Sequence, residues 1–444
     1  MAIELESTRT AAVPAARVHE ILSASILADG FDLVLDLQQS RGCRLVDERD
    51  GSSYLDMFGF FASNALGMNH PALADDMEFR ADLVTAALNK PSNSDMYTVE
   101  MARFVETFVR VLGDPRLPHL FFIDGGGLAV ENALKIAFDW KSRHNEVHGR
   151  APELGTKVLH LTGAFHGRTG YTMSLTNTDP VKIARFPRFG WPRIDAPYLT
   201  DAFDIEEAEA NALDQARQAF AENPHDIACF IAEPIQGEGG DRHLRPQFLR
   251  AVQRLCQAND ALFILDEVQT GVGMTGTTWA YQQLGLEPDV VAFGKRTQVC
   301  GVMAGGRVDE VPDNVFAVSS RLNSTWGGNL TDMVRTRRIL EVIECDELIE
   351  RSGPLGAYLL ERLTELAARH AVVSEPRGRG LMCAVTLPSA RLRDEVVTAL
   401  RERAHVLILG TGERGIRFRP PLTVSRAELD EAVDALDRVL NGLG

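Results

Sequence analysis

The stretch of residues 261–295 constrains the fold of this chain most strongly, because it contains two short apolar runs that each end on polar residues. The first run, residues 261–265, leads to Asp266, and the second, residues 290–293, leads through a glycine to Lys295. Such continuous apolar runs are typical of strands that are buried on both faces of a parallel sheet. Ligands bind beyond the carboxyl ends of these strands, so we expect Asp266 and Lys295 to face one crevice.

Further apolar runs predict more strands of the same sheet, at residues 119–123, 158–161 and 227–232. Each run leads into a polar or glycine-rich turn and is followed by helical or loop sequence. Residues 277–284 are interpreted as the helix that connects the two strands described above. The alternation predicts an α/β fold with a mainly parallel, doubly wound sheet.

The length of 444 residues predicts two domains, because it exceeds what one compact core usually holds. We expect a large domain over residues 76–332 and a smaller α+β domain to which both chain ends contribute. The N-terminal part of the small domain is predicted over residues 1–75 and its C-terminal part over residues 333–444.

Helical periodicity and strand-like runs subdivide these regions. Apolar residues at helical spacing predict a core-packing helix over residues 99–112. In the C-terminal part, helices are predicted over residues 335–349, 354–368 and 426–440, and one strand over residues 378–385.

The composition restricts which partners the protein can bind and in which cellular compartment it is expected. A net charge of −16 argues against nucleic acid or an anionic membrane as a partner. The six cysteines are scattered without a Cys-x-x-Cys pair, which predicts reduced thiols. The first residues, Met1 to Glu6, do not resemble a signal peptide, and no apolar run approaches the ~20 residues of a membrane span. We therefore expect a cytoplasmic protein.

A glycine-rich turn, residues 125–127, joins one predicted strand to a helical pattern. Free backbone N–H groups and the positive end of a helix dipole at such a turn suit a phosphate group. The turn lacks both the G-x-G-x-x-G pattern of dinucleotide sites and the lysine of a P-loop. A single phosphate is therefore favoured, with a purely structural turn as the alternative.

Lys295 is the only one of six lysines that follows a buried strand directly through a glycine. A desolvated lysine binds its proton less tightly and becomes nucleophilic, as a Schiff-base lysine must. A carboxylate such as Asp266 would hold the ring nitrogen of a pyridine-type cofactor protonated. Taken singly, Lys295 could be a solvent-facing turn residue and Asp266 a turn cap. Together with the glycine turn they indicate pyridoxal phosphate.

Several segments resemble the class III, fold-type-I pyridoxal-phosphate aminotransferases. The motifs that carry this resemblance are LDEVQTG at residues 265–271, EPIQGE at residues 233–238 and FGK at residues 293–295. Within that class the chain most resembles the lysine 6-aminotransferases, through NKPSNSD at residues 89–95, GKRTQVCG at residues 294–301 and NSTWGGN at residues 323–329.

The resemblance implies specific roles for residues around the cofactor. Lys295 is implied to bind the cofactor through an imine and to move the substrate proton, while Asp266 pairs with the pyridinium nitrogen. The remaining implied contacts are Gly126 and Gly127 at the phosphate, Phe165 and Val268 on the two ring faces, Gln269 at the ring hydroxyl and the substrate, His166 as support for the ring or its loop, and Thr325 at the phosphate of the neighbouring subunit. A homodimer with shared active sites follows from the role of Thr325.

The implied reaction transfers the terminal amine of L-lysine to 2-oxoglutarate. Its products are glutamate and 2-aminoadipate 6-semialdehyde, which cyclises to piperideine-6-carboxylate. Arg168 and Arg417 are the candidates for binding the two carboxylates of glutamate and 2-oxoglutarate, because a guanidinium binds a carboxylate bidentately. Glu238 is implied to neutralise Arg417 when lysine binds, and Asn323 to contact the substrate. Surface salt bridges are the alternative interpretation of both arginines.

Two positions depart from the pattern of that class. Gly127 stands where relatives carry alanine, which predicts a looser phosphate turn, and Phe61 stands in a pocket-wall segment where smaller residues are common. The fit of the substrate chain therefore leaves ornithine, 4-aminobutyrate and diaminobutyrate as alternative amine donors. A non-transaminating enzyme or a binding protein of the same fold is the second class of function.

No metal site is predicted. The one His-x-x-x-His pair, His144 and His148, lies in a polar stretch, lacks the glutamate placement of a zinc-protease helix and has no obvious third ligand. Both residues, together with His225, are interpreted as solvated surface residues.

Overall fold

The computed structural model describes residues 13–443 of the chain. The N-terminal residues Met1 to Glu6, for which no signal peptide is expected, lie outside the described part. Within it, no helix combines the length and the apolar composition needed to cross a membrane. All six cysteines are free, and five of them are buried.

The strands of the described residues are β1 (Arg44–Val46), β2 (Ser53–Asp56), β3 (His119–Ile123), β4 (Lys157–Leu161), β5 (Arg193–Ile194), β6 (Ile227–Ala232), β7 (Ile235–Gln236), β8 (Arg242–His243), β9 (Leu262–Asp266), β10 (Val290–Phe293), β11 (Cys300–Ala304), β12 (Ser374–Arg379), β13 (Met382–Thr386), β14 (Val406–Leu407), β15 (Leu409–Thr411) and β16 (Gly415–Phe418).

The α-helices are α1 (Val18–Ser23), α2 (Gly59–Ala62), α3 (Pro71–Ala74), α4 (Met77–Leu88), α5 (Val99–Leu112), α6 (Gly126–Val147), α7 (Thr172–Leu175), α8 (Ile205–Glu222), α9 (Pro246–Ala258), α10 (Ala280–Leu284), α11 (Leu330–Cys345), α12 (Leu348–Arg369), α13 (Ala390–Ala404) and α14 (Arg426–Leu443).

The central element is a seven-stranded sheet in the order β3-β11-β10-β9-β6-β4-β5. All of its neighbouring pairs are parallel except the two that β11 makes with β3 and β10. The strands that were predicted from apolar runs are confirmed, with ends that differ by at most one residue. The mainly parallel α/β architecture is confirmed as well.

Alternate residues of the central strands face opposite layers of the core. In β9, Leu262 and Ile264 pack in the cluster that contains the apolar side of α6, whereas Phe263 and Leu265 pack in the other cluster. Asp266 follows in the same alternation as Leu262 and Ile264, so the strand period directs its carboxylate toward the side of the sheet where α6 begins.

The helix predicted over residues 277–284 is shorter than expected, because α10 begins only at Ala280. Trp279 has an extended backbone and precedes the first turn of the helix. Its buried indole donates a 2.7 Å hydrogen bond to the carbonyl of Leu112 at the end of α5. This core contact holds the preceding residues in a turn rather than in a helix.

The two helices predicted over residues 335–349 and 354–368 have a different boundary in the structure. The break between α11 and α12 falls at Glu347, whose φ of 51° is left-handed, and Pro354 lies inside α12. Proline at this position is tolerated within the helix, so it does not mark the helix start that the sequence indicated.

The single strand predicted over residues 378–385 is wrong, because this segment contains the end of one strand, the turn and most of the second strand of a hairpin. β12 and β13 pair antiparallel, and Gly380, with a φ of 50°, turns the chain between them. β13 continues into a four-stranded sheet in the order β12-β13-β16-β15.

Both ends of the chain meet in a three-stranded sheet, in which β14 pairs parallel with β2 and β2 pairs antiparallel with β1. This pairing agrees with a smaller α+β unit built from both ends. The proposed boundaries at residues 75 and 332 stay a prediction.

Candidate active site

A cavity of about 360 Å³ lies beyond the carboxyl ends of the central parallel strands. It is lined by residues that end or follow β6, β9 and β10, together with the start of α6. The predicted site residues that line it are Phe61, Gly126, Gly127, Phe165, His166, Arg168, Glu238, Asp266, Val268, Gln269 and Lys295. Its volume falls within the range of small-molecule sites.

Asp266 and Lys295 reach this cavity because β9 and β10 are parallel neighbours. Asp266 pairs in register with Ala292, and Lys295 follows the end of β10. The φ of 55° at Lys295 is a left-handed conformation that a non-glycine residue rarely adopts. Such local strain clusters at functional sites. The predicted crevice is thus present.

The Asp266 carboxylate is buried and held in a fixed orientation. His166 Nδ1 lies 2.8 Å from one carboxylate oxygen, and the amide of Val268 donates to the other at 3.1 Å. Burial lowers the pKa of His166, but the hydrogen bond and charge of Asp266 outweigh this effect and hold that pKa above its ordinary value. His166 and the amide of Val268 thus fix the orientation of the Asp266 carboxylate, which suits a partner for a protonated ring nitrogen.

The Lys295 amine lies in a setting that favours its neutral form. Burial, followed by the positive charge of Arg417, lowers the pKa of Lys295, while Asp266 partly opposes the shift. A neutral amine is the form that adds to an aldehyde. The chemistry predicted for this lysine therefore agrees with its surroundings.

The N-terminus of α6 provides an anion site in the same cavity. Gly125 has a φ of 99° and precedes the helix without a side-chain cap, so the first N–H groups remain available. A methyl group on residue 127 would lie 3.3 Å from Cγ2 of Thr169, which is closer than an ordinary contact. Glycine at position 127 thus accommodates Thr169, whose hydroxyl bonds to Glu131.

Arg417 is buried and paired with Glu238. The residue is 3% exposed, and its Nη2 atom lies 3.0 Å from Oε2 of Glu238. Burial raises the pKa of Glu238, but the positive charges and hydrogen bonds of Arg417 and Lys182 lower it by more. The pKa of Glu238 therefore lies below its ordinary value. The interpretation of Arg417 as a surface salt bridge is therefore wrong, because the partners meet inside the protein.

Of the remaining residues predicted to contact the substrate or the phosphate, one lies at the cavity and two do not line it. Arg168 is exposed at the cavity, with its guanidinium carbon 5.9 Å from the ring centre of Phe165. Asn323 and Thr325 are exposed on the loop before α11 and do not contribute to the cavity lining described here. The predicted contacts of Asn323 with the substrate and of Thr325 with a phosphate of the neighbouring subunit therefore stay predictions.

Some residues of the site were missed by the sequence analysis. Glu233 follows β6 and accepts hydrogen bonds from the amides of Phe165 and Gly237, and burial raises its pKa to about 7. Arg419 and Asp241 form a buried ion pair, and Arg419 also donates to Gln269 at 3.2 Å. Glu233 could have been found by the strand-end argument used for Asp266.

His144 is not a solvated surface residue as predicted, since it is buried inside α6. Its ring stacks between Trp140 at 4.7 Å and the exposed His148 at 4.1 Å. Burial lowers the pKa of His144 to about 4. The helix extends well past the expected residues, which places the first histidine of the pair against the core. His225 is exposed, as expected.

Comparisons with known proteins agree with this geometry. The family model described as aminotransferase class III matches residues 27–440. An L-lysine-epsilon aminotransferase from Mycobacterium tuberculosis is 67% identical over 428 residues, which cover 96% of this chain and 95% of that protein. The protein of the same name from Amycolatopsis lactamdurans is 57% identical over 451 residues and is covered over 100% of both chains.

The solved structures give the same result. The lysine aminotransferase from M. tuberculosis in the internal aldimine form superimposes with a TM-score of 0.96 at 65% identity, over 97% of this chain and 100% of that chain. The similarity therefore extends over the whole site described above and not over one motif alone.

Proposed function

Because this chain belongs to the class III aminotransferase family, we propose that it transfers the terminal amine of L-lysine to 2-oxoglutarate with pyridoxal phosphate as cofactor. The products are glutamate and 2-aminoadipate 6-semialdehyde, which cyclises to piperideine-6-carboxylate. The observation that carries the proposal is the ion pair between the buried Arg417 and the partly buried Glu238, which lines the same cavity as Lys295. The similarity to the lysine aminotransferases supports the choice of amine donor.

The residues of the cavity fit pyridoxal phosphate. The uncapped N-terminus of α6 suits its phosphate, the buried carboxylate of Asp266 suits its ring nitrogen, and Lys295 supplies a buried amine. Phe165 and Val268 line the cavity between these groups. When bound, the cofactor supplies an aldehyde that condenses with amines and a ring that withdraws electrons from the adjacent carbon.

The protein's own side chains then perform distinct tasks. With the cofactor bound, Asp266 would hold a proton on the ring nitrogen, because His166 fixes the orientation of its carboxylate. Lys295 would move the proton at the substrate carbon once its amine is free, because burial and Arg417 favour the neutral form of that amine. Burial around Lys295 excludes water from this transfer.

Lysine and glutamate differ in the number of carboxylates that they bring, and the site has two arginines that can bind carboxylates. Arg168 is placed to bind the carboxylate that lysine and glutamate share. Glutamate and 2-oxoglutarate bring a second carboxylate, for which Arg417 is the candidate. With lysine in place, Glu238 remains on Arg417 and neutralises a buried charge that would otherwise lack a partner.

Glu238→Gln is expected to slow the half-reaction with L-lysine by about 10–100-fold relative to the half-reaction with glutamate, because a buried arginine is left uncompensated. Single-turnover rates with each amine, followed by the visible band of the cofactor, measure this ratio. An unchanged ratio would refute the proposed exchange at Arg417.

The choice of amine donor has a direct test. L-lysine, ornithine, 4-aminobutyrate and diaminobutyrate are added separately to the holoenzyme, and conversion to the pyridoxamine form is followed by absorbance. We expect L-lysine to be converted with the highest kcat/KM. If another amine is converted preferentially, that amine and not L-lysine is the substrate. If no amine is converted, the result favours a protein that does not transaminate.

Phe61 is expected to set the fit of the substrate chain. Its ring centre lies 6.0 Å from Nζ of Lys295 and 5.9 Å from the guanidinium carbon of Arg417, so it lies beside the path between the reacting amine and that arginine. Phe61→Gly should raise the KM for L-lysine about 3–10-fold through loss of apolar contact. It should not lower the melting temperature appreciably, because φ is 59° at this position and glycine relieves that strain.

The matched control for this variant is Phe60→Gly. Phe60 also has a positive φ, of 49°, but does not line the cavity. An equal rise in KM in both variants would show that backbone strain, and not the Phe61 ring, governs the fit.

The proposed assembly is a homodimer in which Thr325 serves the phosphate of the neighbouring subunit, while Asn323, on the same loop, contacts the substrate. Both residues are exposed on a loop and do not line the cavity of their own chain, which supports this arrangement.

A cytoplasmic location is also proposed, in accord with the composition of the chain.

A further inference from the structure

Glu238 has two cationic partners, and only one of them is Arg417. Nζ of Lys182 lies 2.5 Å from Oε1 of Glu238, while Nη2 of Arg417 lies 3.0 Å from Oε2. Each carboxylate oxygen therefore has its own cation. Lys182 belongs to a short 3₁₀ turn, Pro180–Lys182, in which the amide of Val181 donates a hydrogen bond to the side chain of Asp179. This lysine was not among the predicted site residues.

The backbone around Glu238 is fixed, so that only its side chain is free to move. The carbonyl of Glu238 accepts a 3.1 Å hydrogen bond from the amide of Gly412. The carbonyl of Gly237 accepts a 2.6 Å bond from the hydroxyl of Thr411 and a 3.4 Å contact from Arg417. Release of Arg417 thus requires rotation of the Glu238 side chain and no rearrangement of the loop.

Space for that rotation is provided by a second cavity, which Lys295 does not line. Glu238 lines the active-site cavity and also a second cavity of about 300 Å³. Lys182 lines this second cavity, in which Arg393 adds a further positive charge and Asp179 and Asp394 add negative charges. Among the residues that the structure describes, Glu238 is the one lining residue that the two cavities share.

We propose that Lys182 is the alternative partner of Glu238, which it retains in the second cavity when a dicarboxylate substrate occupies Arg417. A carboxylate that leaves Arg417 without another cation would be a partly buried, unpaired charge. Because Lys182 already holds Oε1, the exchange replaces one ion pair while the other persists. The inference rests on the proposed function, in which Arg417 binds the second carboxylate of 2-oxoglutarate and glutamate.

Equilibrium binding of two unreactive ligands to the holoenzyme tests this role. Glutarate and valerate have equal carbon chains, and only glutarate carries the second carboxylate. In Lys182→Met, the preference for glutarate over valerate should fall about tenfold, because Glu238 then leaves Arg417 without a charged partner. The affinity for valerate should change less than about twofold, since Glu238 stays on Arg417.

Two comparisons separate this role from general attraction of anions by a lysine. In a Glu238→Gln background there is no charge to retain, so adding Lys182→Met should leave the glutarate preference unchanged. Lys182→Arg, which keeps the cation, should retain most of the preference. The control is Arg188→Met, an exposed cation of the same segment, which should behave as the parent protein does.

The outcomes are distinct. If the parent protein and Arg417→Gln bind glutarate with the same preference over valerate, the proposed role of Arg417 fails and the present inference fails with it. If Arg417→Gln abolishes the preference but Lys182→Met preserves it, only the role of Lys182 is refuted. An equal loss in the Glu238→Gln background would show that Lys182 attracts the ligand directly, which also overturns the inference.

Discussion

Replacement of Lys295 by alanine is expected to lower amine transfer by about 10⁴-fold, since it removes both the covalent link to the cofactor and the general base. The side chain follows β10 into the cavity, where burial and Arg417 lower the pKa of its amine. Its base form is thus populated at lower pH than that of an exposed lysine. Added small amines should restore part of the proton transfer, and single-turnover rates with L-lysine measure the loss.

Borohydride reduction followed by peptide mapping identifies the linked lysine, and Lys141 is the internal control. Lys141 is also buried, and burial lowers its pKa to about 8. Its amine, however, donates to the carbonyls of Asn259 and Asp260 at 3.2 and 2.5 Å and does not line the cavity. The label should appear on Lys295 alone. A label on Lys141 would show that a lowered pKa, and not position, selects the lysine.

Replacement of Asp266 by asparagine is expected to lower kcat/KM by about 10³-fold, because the amide cannot stabilise a positive charge on the ring nitrogen. The carboxylate is anchored by His166 and by the amide of Val268, and asparagine preserves its size. Steady-state rates and the pH dependence of the visible band of the cofactor measure the effect together. A loss in rate without a change in this spectrum would place the role of Asp266 elsewhere.

The matched control for this variant is Glu267→Gln at the adjacent buried carboxylate. Glu267 accepts hydrogen bonds from the Thr270 hydroxyl and the amide of Tyr281, and burial raises its pKa to about 7. It is therefore largely protonated below neutral pH, and the amide resembles that form. We expect activity within about threefold of the parent protein for this change. A loss as large as that of Asp266→Asn would indicate a general effect of altering this strand end.

The central strands were predictable because burial on both faces requires continuous apolar runs, such as residues 290–293. The parallel arrangement then follows from the crossover sequence between runs. Helix ends were less predictable where a tertiary contact decides them. Trp279 illustrates this, since its hydrogen bond to Leu112 is formed with a residue far away in the chain.

The local sequence around the glycine turn, β9 and β10 determined the strand ends and the chemical types that meet there, and hence Asp266 and Lys295 as a pair. Only the tertiary structure decided that Glu238 has a second cationic partner, Lys182, beside Arg417. Lys182 and Arg417 are separated by more than two hundred residues from each other, yet both contact Glu238. Their encounter depends on how the C-terminal sheet packs against the loop after β6, and no local periodicity encodes such packing.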